Sequence, residues 1–229
     1  GQVERSDVGW RVADDDRDEA AFVVNEIRSL TSDGLDAGEI AVFYRTHAQS
    51  RPLEEVLLRS GLRYRIVGNV RFYERKEVRD ALAYLRVVSN PEDDVALQRI
   101  LNVPKRGLGD RTGEQVAAFA AREQISFEAA LRRAPETGIG PRAETRIGGF
   151  LALLDELRVL LDSGADPEEM VEAVLDQSGL VAELQASNDP QDESRLENLA
   201  ELASVAREFL NDNADGTLAD FLERVALVA

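Results

Sequence analysis

Cysteine is absent from this sequence, and histidine occurs once, at His47. Without thiols there is no disulfide framework, no thiol nucleophile and no cysteine zinc site, and one imidazole cannot build a histidine-rich metal centre. No metal site is therefore expected. Long hydrophobic runs are missing too, since no stretch approaches the roughly 18 to 20 apolar residues that a membrane span needs. The opening GQVERSDVGW has neither the basic start nor the apolar core of a secretory signal. These absences predict a cytoplasmic protein with no membrane attachment. What is present is a chain of 229 residues, 44% hydrophobic and 31% charged, which suits one large or two ordinary globular domains.

Positive charge is scarce overall. The net charge of −17 argues against a generic nucleic-acid coat or a binder of anionic membranes, both of which use a broad positive field. Its distribution is uneven: between Arg59 and Arg111 twelve Lys/Arg face seven Asp/Glu, so that stretch is +5 and the remainder −22. A local basic surface on an acidic body fits this pattern, as does an ordinary solvated helix face.

Along the chain the first third alternates. GWRVADD reads as a short strand. DDDRDEAAFVVNEIRSLTSDG reads as an amphipathic helix with Ala20, Val23, Val24, Ile27 and Leu30 on one face. EIAVFYR is a second strand, SRPLEEVLLRSG a second helix and RYRIVG a third strand, which predicts parallel strands covered by helices. From Glu74 onward only helical patterns recur. Phe150, Leu153, Leu154, Leu157, Leu160 and Leu161 form one stripe and Leu196, Leu199, Ala203, Ala206 and Leu210 another, both suited to core packing. The expected fold is mainly α: a small, incomplete parallel α/β part over 1–75, then an all-helical domain over 76–229. A three-stranded sheet leaves an exposed edge, and the sequence stops on the apolar LERVALVA, so a piece of a longer protein is expected.

Three clusters carry chemistry. Ligands of parallel α/β sheets sit beyond the carboxyl ends of strands, where Tyr44 and Arg45 fall. There an arginine fork suits a phosphate and a tyrosine face suits a base, although Arg45 could equally pair with a carboxylate and Tyr44 cap the core. Gln49 and Ser50 also suit the N-cap of the following helix. The second cluster, NVPKRGLGDRTGEQV, places Gly107 and Gly109 around Leu108, with Lys105, Arg106 and Arg111 beside them and Asp110 or Thr112 as helix cap. Glycine amides at a helix start make an anion site, and this spacing resembles a helix-hairpin-helix element that grips duplex phosphates; a plain turn is the alternative. In the third, RFYERKEVRD, Arg71, Arg75, Lys76 and Arg79 interleave with Phe72 and Tyr73. That suits either stacking of single-stranded bases or a domain joint with buried aromatics.

The run from IAVFYRTHAQSRPLEEVLLRSGLRYRIVGNVRFYERKEVRDALAYLRVVSNPEDD to NVPKRGLGDRT resembles the UvrD/Rep/PcrA group of superfamily 1 DNA helicases, with YRTHAQSR, RFYERKEVRDALAYLR and PKRGLGDRT in that family's order. SRLENLAEL, near the end, is similar to the family's return from its inserted domain. The resemblance implies half of the second RecA-like motor domain followed by the helical domain inserted in it. It implies that Tyr44 stacks on the adenine of ATP, that Arg45 reaches the γ-phosphate as an arginine finger, and that Gln49, Ser50 and Arg51 continue that motif. It also implies duplex contact through Arg106, Gly107, Leu108, Gly109, Arg111 and Thr112; Lys105 of the same turn and Arg71, Phe72 and Arg75 of the third cluster join them as DNA-contact candidates on the reading of the residues alone.

The family usually has Asn where this chain has His47. No GxxxxGK[ST] loop and no acidic Mg²⁺ motif occur here, so ATP and Mg²⁺ are expected to bind only in a longer parent, and this chain alone is not expected to hydrolyse ATP. The implied activity is ATP-dependent 3′-to-5′ DNA unwinding. The implied partners are DNA at a single-strand/duplex junction and proteins of repair or replication, in a bacterial-type, nucleoid-associated setting. A protein-interaction module is the competing reading, because eleven acids against three bases lie between Glu183 and Arg224.

Overall fold

The computed structural model describes residues 12–13, 15–44, 49–67 and 71–228, which separate into two compact units, Gly1–Arg71 and Phe72–Ala229. The sequence places the boundary after residue 75. The structural division comes earlier because Phe72 and Tyr73, 1% and 8% exposed, belong to the second unit's core.

In the first unit Asp15 caps α1 (Asp16–Ser32), its carboxylate accepting from the Asp18 amide at 2.7 Å. Asp16, Asp18 and Glu19 occupy the first turn, where the helix dipole favours negative charge. Ala20, Val24 and Ile27 form the buried stripe, on the predicted face, and α2 (Ser50–Arg59) packs against α1. Between them the chain leaves a 3₁₀ turn, Ala37–Glu39, with Ile40 in an extended conformation (φ −97°, ψ 128°).

The three expected strands are not formed among the described residues: 12–13, 40–44 and 63–67 carry no ladder. Strand propensity specifies an extended backbone, but a strand exists only through hydrogen bonds to a neighbour. Phe43 and Val67 are 92% and 80% exposed and Val42 39%, so the first two apolar side chains are largely uncovered and the third partly so.

The second unit is helical throughout its regular structure and is organised around α3 (Lys76–Ser89). Val78, Ala81–Leu85, Val87 and Val88 are all buried, so α3 is apolar nearly all round, as a central helix must be. It packs on α4 (Asp94–Ile100), α7 (Pro141–Asp162), α8 (Pro167–Gln177), α10 (Gln191–Asp212) and α11 (Leu218–Val228). Three further helices, α5 (Asp110–Glu123), α6 (Phe127–Arg132) and α9 (Leu180–Gln185), complete the unit's α-helices. The α7 stripe holds, with Phe150, Leu154 and Leu157 buried beside Ile147 and Leu151. On α10 the buried face is Leu199, Leu202, Val205, Ala206 and Phe209, rotated from the predicted one. Phe209 sets that rotation. It meets Phe221 edge-on at 5.6 Å, and Gly216 passes so close that a Cβ there would lie 2.4 Å from the Phe209 ring.

One buried ion network braces α6 against α7. Glu128, 5% exposed, accepts from Arg158 at 2.7 and 2.6 Å and from Arg132 at 2.7 Å, while Arg158 also donates to the Val87 carbonyl at 3.0 Å. Burial pushes the Glu128 carboxyl up, but the hydrogen bonds from Arg158 and Arg132 outweigh it and hold the group below the usual range.

Candidate functional site

The loop joining α4 to α5 is built around two side chains that satisfy its backbone from within. Asn102 Oδ1 accepts from the Arg106 amide at 2.8 Å and from the Leu108 amide at 3.1 Å. Arg106 does the converse, donating to the carbonyls of Val103 at 2.8 Å, Ile100 at 3.2 Å and Pro104 at 3.3 Å. Its other terminal nitrogen donates to the Tyr84 hydroxyl and, at 3.1 Å, to the Ser178 carbonyl. The guanidinium lies 5.8 Å from the Tyr84 ring centroid and 5.0 Å from that of Phe150. Arg106 thus ties the loop to α3, α7 and the end of α8. Both its terminal nitrogens are already engaged by inward-facing acceptors of the protein, and the residue as a whole is half-buried.

Tyr84 completes the knot. Fully buried, it accepts from Arg106 and donates its own proton to the Val103 carbonyl at 2.6 Å. Burial pushes its hydroxyl up to about 12, so it stays neutral and keeps that proton.

The glycines do different work. Gly107 adopts φ +69°, a left-handed conformation that favours glycine, and its carbonyl accepts from Arg146 of α7 at 2.8 Å. Leu108, 1% exposed, anchors the turn in the core. Gly109 is the N-cap of α5, and no side chain caps that helix, contrary to the role expected of Asp110 or Thr112. The Thr112 amide instead bonds to the Gly109 carbonyl at 2.9 Å, a tightened first turn.

What remains outward is the uncapped start of α5 with the exposed side chains of Lys105 and Arg111, neither of them ion-paired among the described residues. Thr112 is half-buried. The exposed Asp110 sits in the same first turn and opposes an anion there, and the Lys105 amide is taken by Glu183 of α9 at 3.1 Å. The arrangement therefore offers two outward cations and a helix start, on a loop whose shape is fixed from inside.

The third cluster is a joint. Phe72 is buried against Tyr73, ring centroids 5.0 Å apart, and Arg75, 3% exposed, lies over Phe72 at 5.4 Å. Arg75 donates to Asn198 Oδ1 at 2.6 Å and Asn198 in turn to Glu77 at 2.7 Å, a clasp between the start of α3 and α10. Of the two readings the sequence leaves open, a path for stacked bases or a joint with buried aromatics, the burial of Phe72 and Arg75 fits the joint, while Arg71, Lys76 and Arg79 are exposed.

On the nucleotide side, Tyr44 is half-buried and follows the 92%-exposed Phe43. Arg45 and His47 lie outside the described residues. Gln49 holds the N-cap position of α2 without a capping side chain, Ser50 is the first helical residue, and Arg51, 2% exposed, pairs with Glu55 at 3.0 Å. No group of three potential metal ligands occurs among the described residues, and no helix there is long and apolar enough to cross a membrane. Of the acidic C-terminal helices, Asp192 and Asp212 are paired internally with Arg195 and Arg224.

Sequence reasoning missed Tyr84, Asn102, Arg146 and Glu183. Arg146 and Glu183 reach the loop from 39 and 78 residues away, separations that no local pattern spans.

Among known proteins, the family profile of the UvrD-like helicase C-terminal domain matches residues 2–135. The chain is 50% identical over 240 aligned residues to the ATP-dependent DNA helicase UvrD1 of Mycobacterium tuberculosis, covering 97% of this chain and 31% of that protein. It is 41% identical over 223 residues to the ATP-dependent DNA helicase PcrA of Bacillus subtilis (97% of this chain, 30% of the relative). PcrA of Staphylococcus aureus is 38% identical over 216 residues, covering 93% of this chain and 30% of the relative. The chain thus spans about a third of the length of these relatives.

Proposed function

Because this chain belongs to the UvrD-like helicase C-terminal domain family, we propose that it serves an ATP-dependent 3′-to-5′ DNA helicase as its duplex-gripping helical part and one wall of its nucleotide cleft. The observation that carries the DNA half is the outward face of the α4–α5 loop: Lys105 and Arg111, exposed and unpaired among the described residues, flank the uncapped start of α5. Cations beside helix-start amides hold phosphates without reading bases. The helix-hairpin-helix reading rests on this turn, with Gly107 and Gly109 bringing backbone close to the duplex and Leu108 anchoring it. Arg106 supports the loop from beneath, and the exposed Arg71 remains a candidate phosphate contact. The partner is DNA at a single-strand/duplex junction, with repair or replication proteins around it.

For the nucleotide half, Tyr44 offers its ring face to adenine and Arg45 its guanidinium to the γ-phosphate, with Gln49, Ser50 and Arg51 shaping the turn behind them. Ile40–Tyr44 would then be a strand of a RecA-like sheet, paired with backbone from elsewhere in the longer protein. The exposed apolar residues Val42 and Phe43 fit such cover. ATP with Mg²⁺ supplies the phosphoryl group whose transfer drives movement. This chain's own part is to bind the base and to neutralise charge developing on that phosphate.

The test is anisotropy of a labelled duplex carrying a 3′ single-stranded tail, titrated with the chain at several salt concentrations. Replacing Lys105 and Arg111 by Ala is expected to weaken binding whatever the sequence and to flatten the log K against log[salt] slope by roughly 1.8, about 0.9 per phosphate contact. An unchanged slope refutes the grip.

A further inference from the structure

Arg106 sits in the middle of the loop that the proposed grip uses, yet every acceptor around it belongs to the protein. Its guanidinium spans the carbonyls of Ile100, Val103 and Pro104 in the loop, the Tyr84 hydroxyl on α3 and the Ser178 carbonyl at the end of α8. A phosphate oxygen reaching either terminal nitrogen would have to displace some of these acceptors, leaving half-buried carbonyls without a donor. Asn102 does for the loop's amides what Arg106 does for its carbonyls. Together they turn the loop's polar backbone inward and leave Gly109 and the start of α5 as the part that faces out.

Resting on the duplex-grip reading above, we infer that Arg106 and Tyr84 are positioning residues for DNA. They set the pose of Lys105, Arg111 and the α5 start without themselves touching the duplex. Tyr84 carries the inference furthest, because it is fully buried and cannot reach a ligand. Any effect of its hydroxyl on DNA binding must travel through Val103 and Arg106, its two hydrogen-bond partners. A role in fold stability alone makes a different forecast: the melting temperature falls, but the affinity of fully folded protein does not.

The experiment compares Tyr84→Phe, Arg106→Lys and the Lys105→Ala/Arg111→Ala double variant in the 229-residue chain. Binding to the tailed duplex is read at several salt concentrations and at a temperature where circular dichroism shows each protein fully folded. Tyr84→Phe keeps the ring and loses one buried hydrogen-bonding group. It is expected to raise Kd about fivefold with the wild-type salt slope, because the number of phosphates contacted is unchanged. Arg106→Lys keeps the charge but loses the fork, and is expected to raise Kd by about tenfold, again with the slope unchanged.

Wild-type Kd in both single variants overturns the positioning role. A flatter slope in Arg106→Lys overturns it as well, by showing a lost phosphate contact. Failure of the grip itself looks different, since the double variant then keeps its slope, or the wild type does not bind duplex. In that case amide hydrogen exchange of residues 107–111 reads the pose directly. Faster exchange in Tyr84→Phe at unchanged global helicity supports the positioning role, and unchanged exchange overturns it.

Discussion

Replacing Gly107 by alanine perturbs the α4–α5 loop at its tightest point. The backbone there sits at φ +69°, and a Cβ would lie 2.4 Å from Nη1 of Arg146, the atom that donates to the Gly107 carbonyl at 2.8 Å. Two terms follow. Holding a non-glycine residue in the left-handed region costs about 1–2 kcal/mol. Because the clashing atom is the far end of a flexible, exposed side chain, Arg146 swings away and its hydrogen bond is lost, worth about 1 kcal/mol. The sum, roughly 2–3 kcal/mol, corresponds to a fall in Tm of roughly 5–10 °C for a unit of this size. Thermal and urea melts followed by far-UV circular dichroism measure it. Two companions separate the terms. Gly107→Asn relieves part of the backbone cost, since Asn tolerates this region, but still displaces Arg146, so it should lose roughly 1–2 kcal/mol, less than Gly107→Ala. Gly148→Ala, at an exposed site within α7 where a Cβ meets nothing within 4 Å, should gain about 1 kcal/mol. A Gly107→Ala protein that melts at or above the wild type refutes the reasoning, because a strain-free glycine replaced by alanine is normally stabilising.

Glu128→Gln is expected to lower stability near neutral pH by about 2 kcal/mol, since Arg132 and Arg158 lose a carboxylate partner. The folded-state pKa of Glu128 is depressed below the ordinary 4.5. Its contribution is therefore complete above that value and is lost as pH falls through the folded pKa. Melts of wild type and variant should accordingly converge below pH 4.5, and a gap that stays constant into acid would count against the network. For the nucleotide wall, Arg45→Ala in a helicase that contains this chain is expected to reduce ATP turnover by about 10³-fold with DNA affinity retained. Equal loss of turnover and DNA binding would remove Arg45 from the finger role.

The helical architecture was legible wherever a stripe repeats at helical spacing. The α1 face of Ala20, Val24 and Ile27 and the α7 face of Phe150, Leu154 and Leu157 are buried as the spacing predicts. The strands were not, because apolar runs such as Ile40–Phe43 specify only an extended backbone, while a ladder depends on a neighbour. On α10 a pattern of leucines and alanines fits several rotations, and the contact of Phe209 with Phe221 and Gly216 selects one that composition does not rank. In the candidate site, the basic flanks of the glycine turn were visible in the sequence, but the direction in which each arginine points was not. Arg106 and Arg111 read alike as charges beside a glycine, and only the inward acceptors around Arg106 distinguish them. The same holds for Phe72 and Arg75, whose interleaved pattern serves a buried joint as well as an exposed platform.

The burial of α3 bears on how this sequence can drift. Of its fourteen residues nine are buried, and only Lys76, Arg79 and Arg86, which fall on one strip of the helix, are exposed. At these nine positions a substitution that changes volume or polarity disturbs close packing, and volume-conserving apolar swaps are tolerated best. Drift along α3 is thus channelled to a single strip, while the outer helices are free to exchange their solvent-facing residues one at a time.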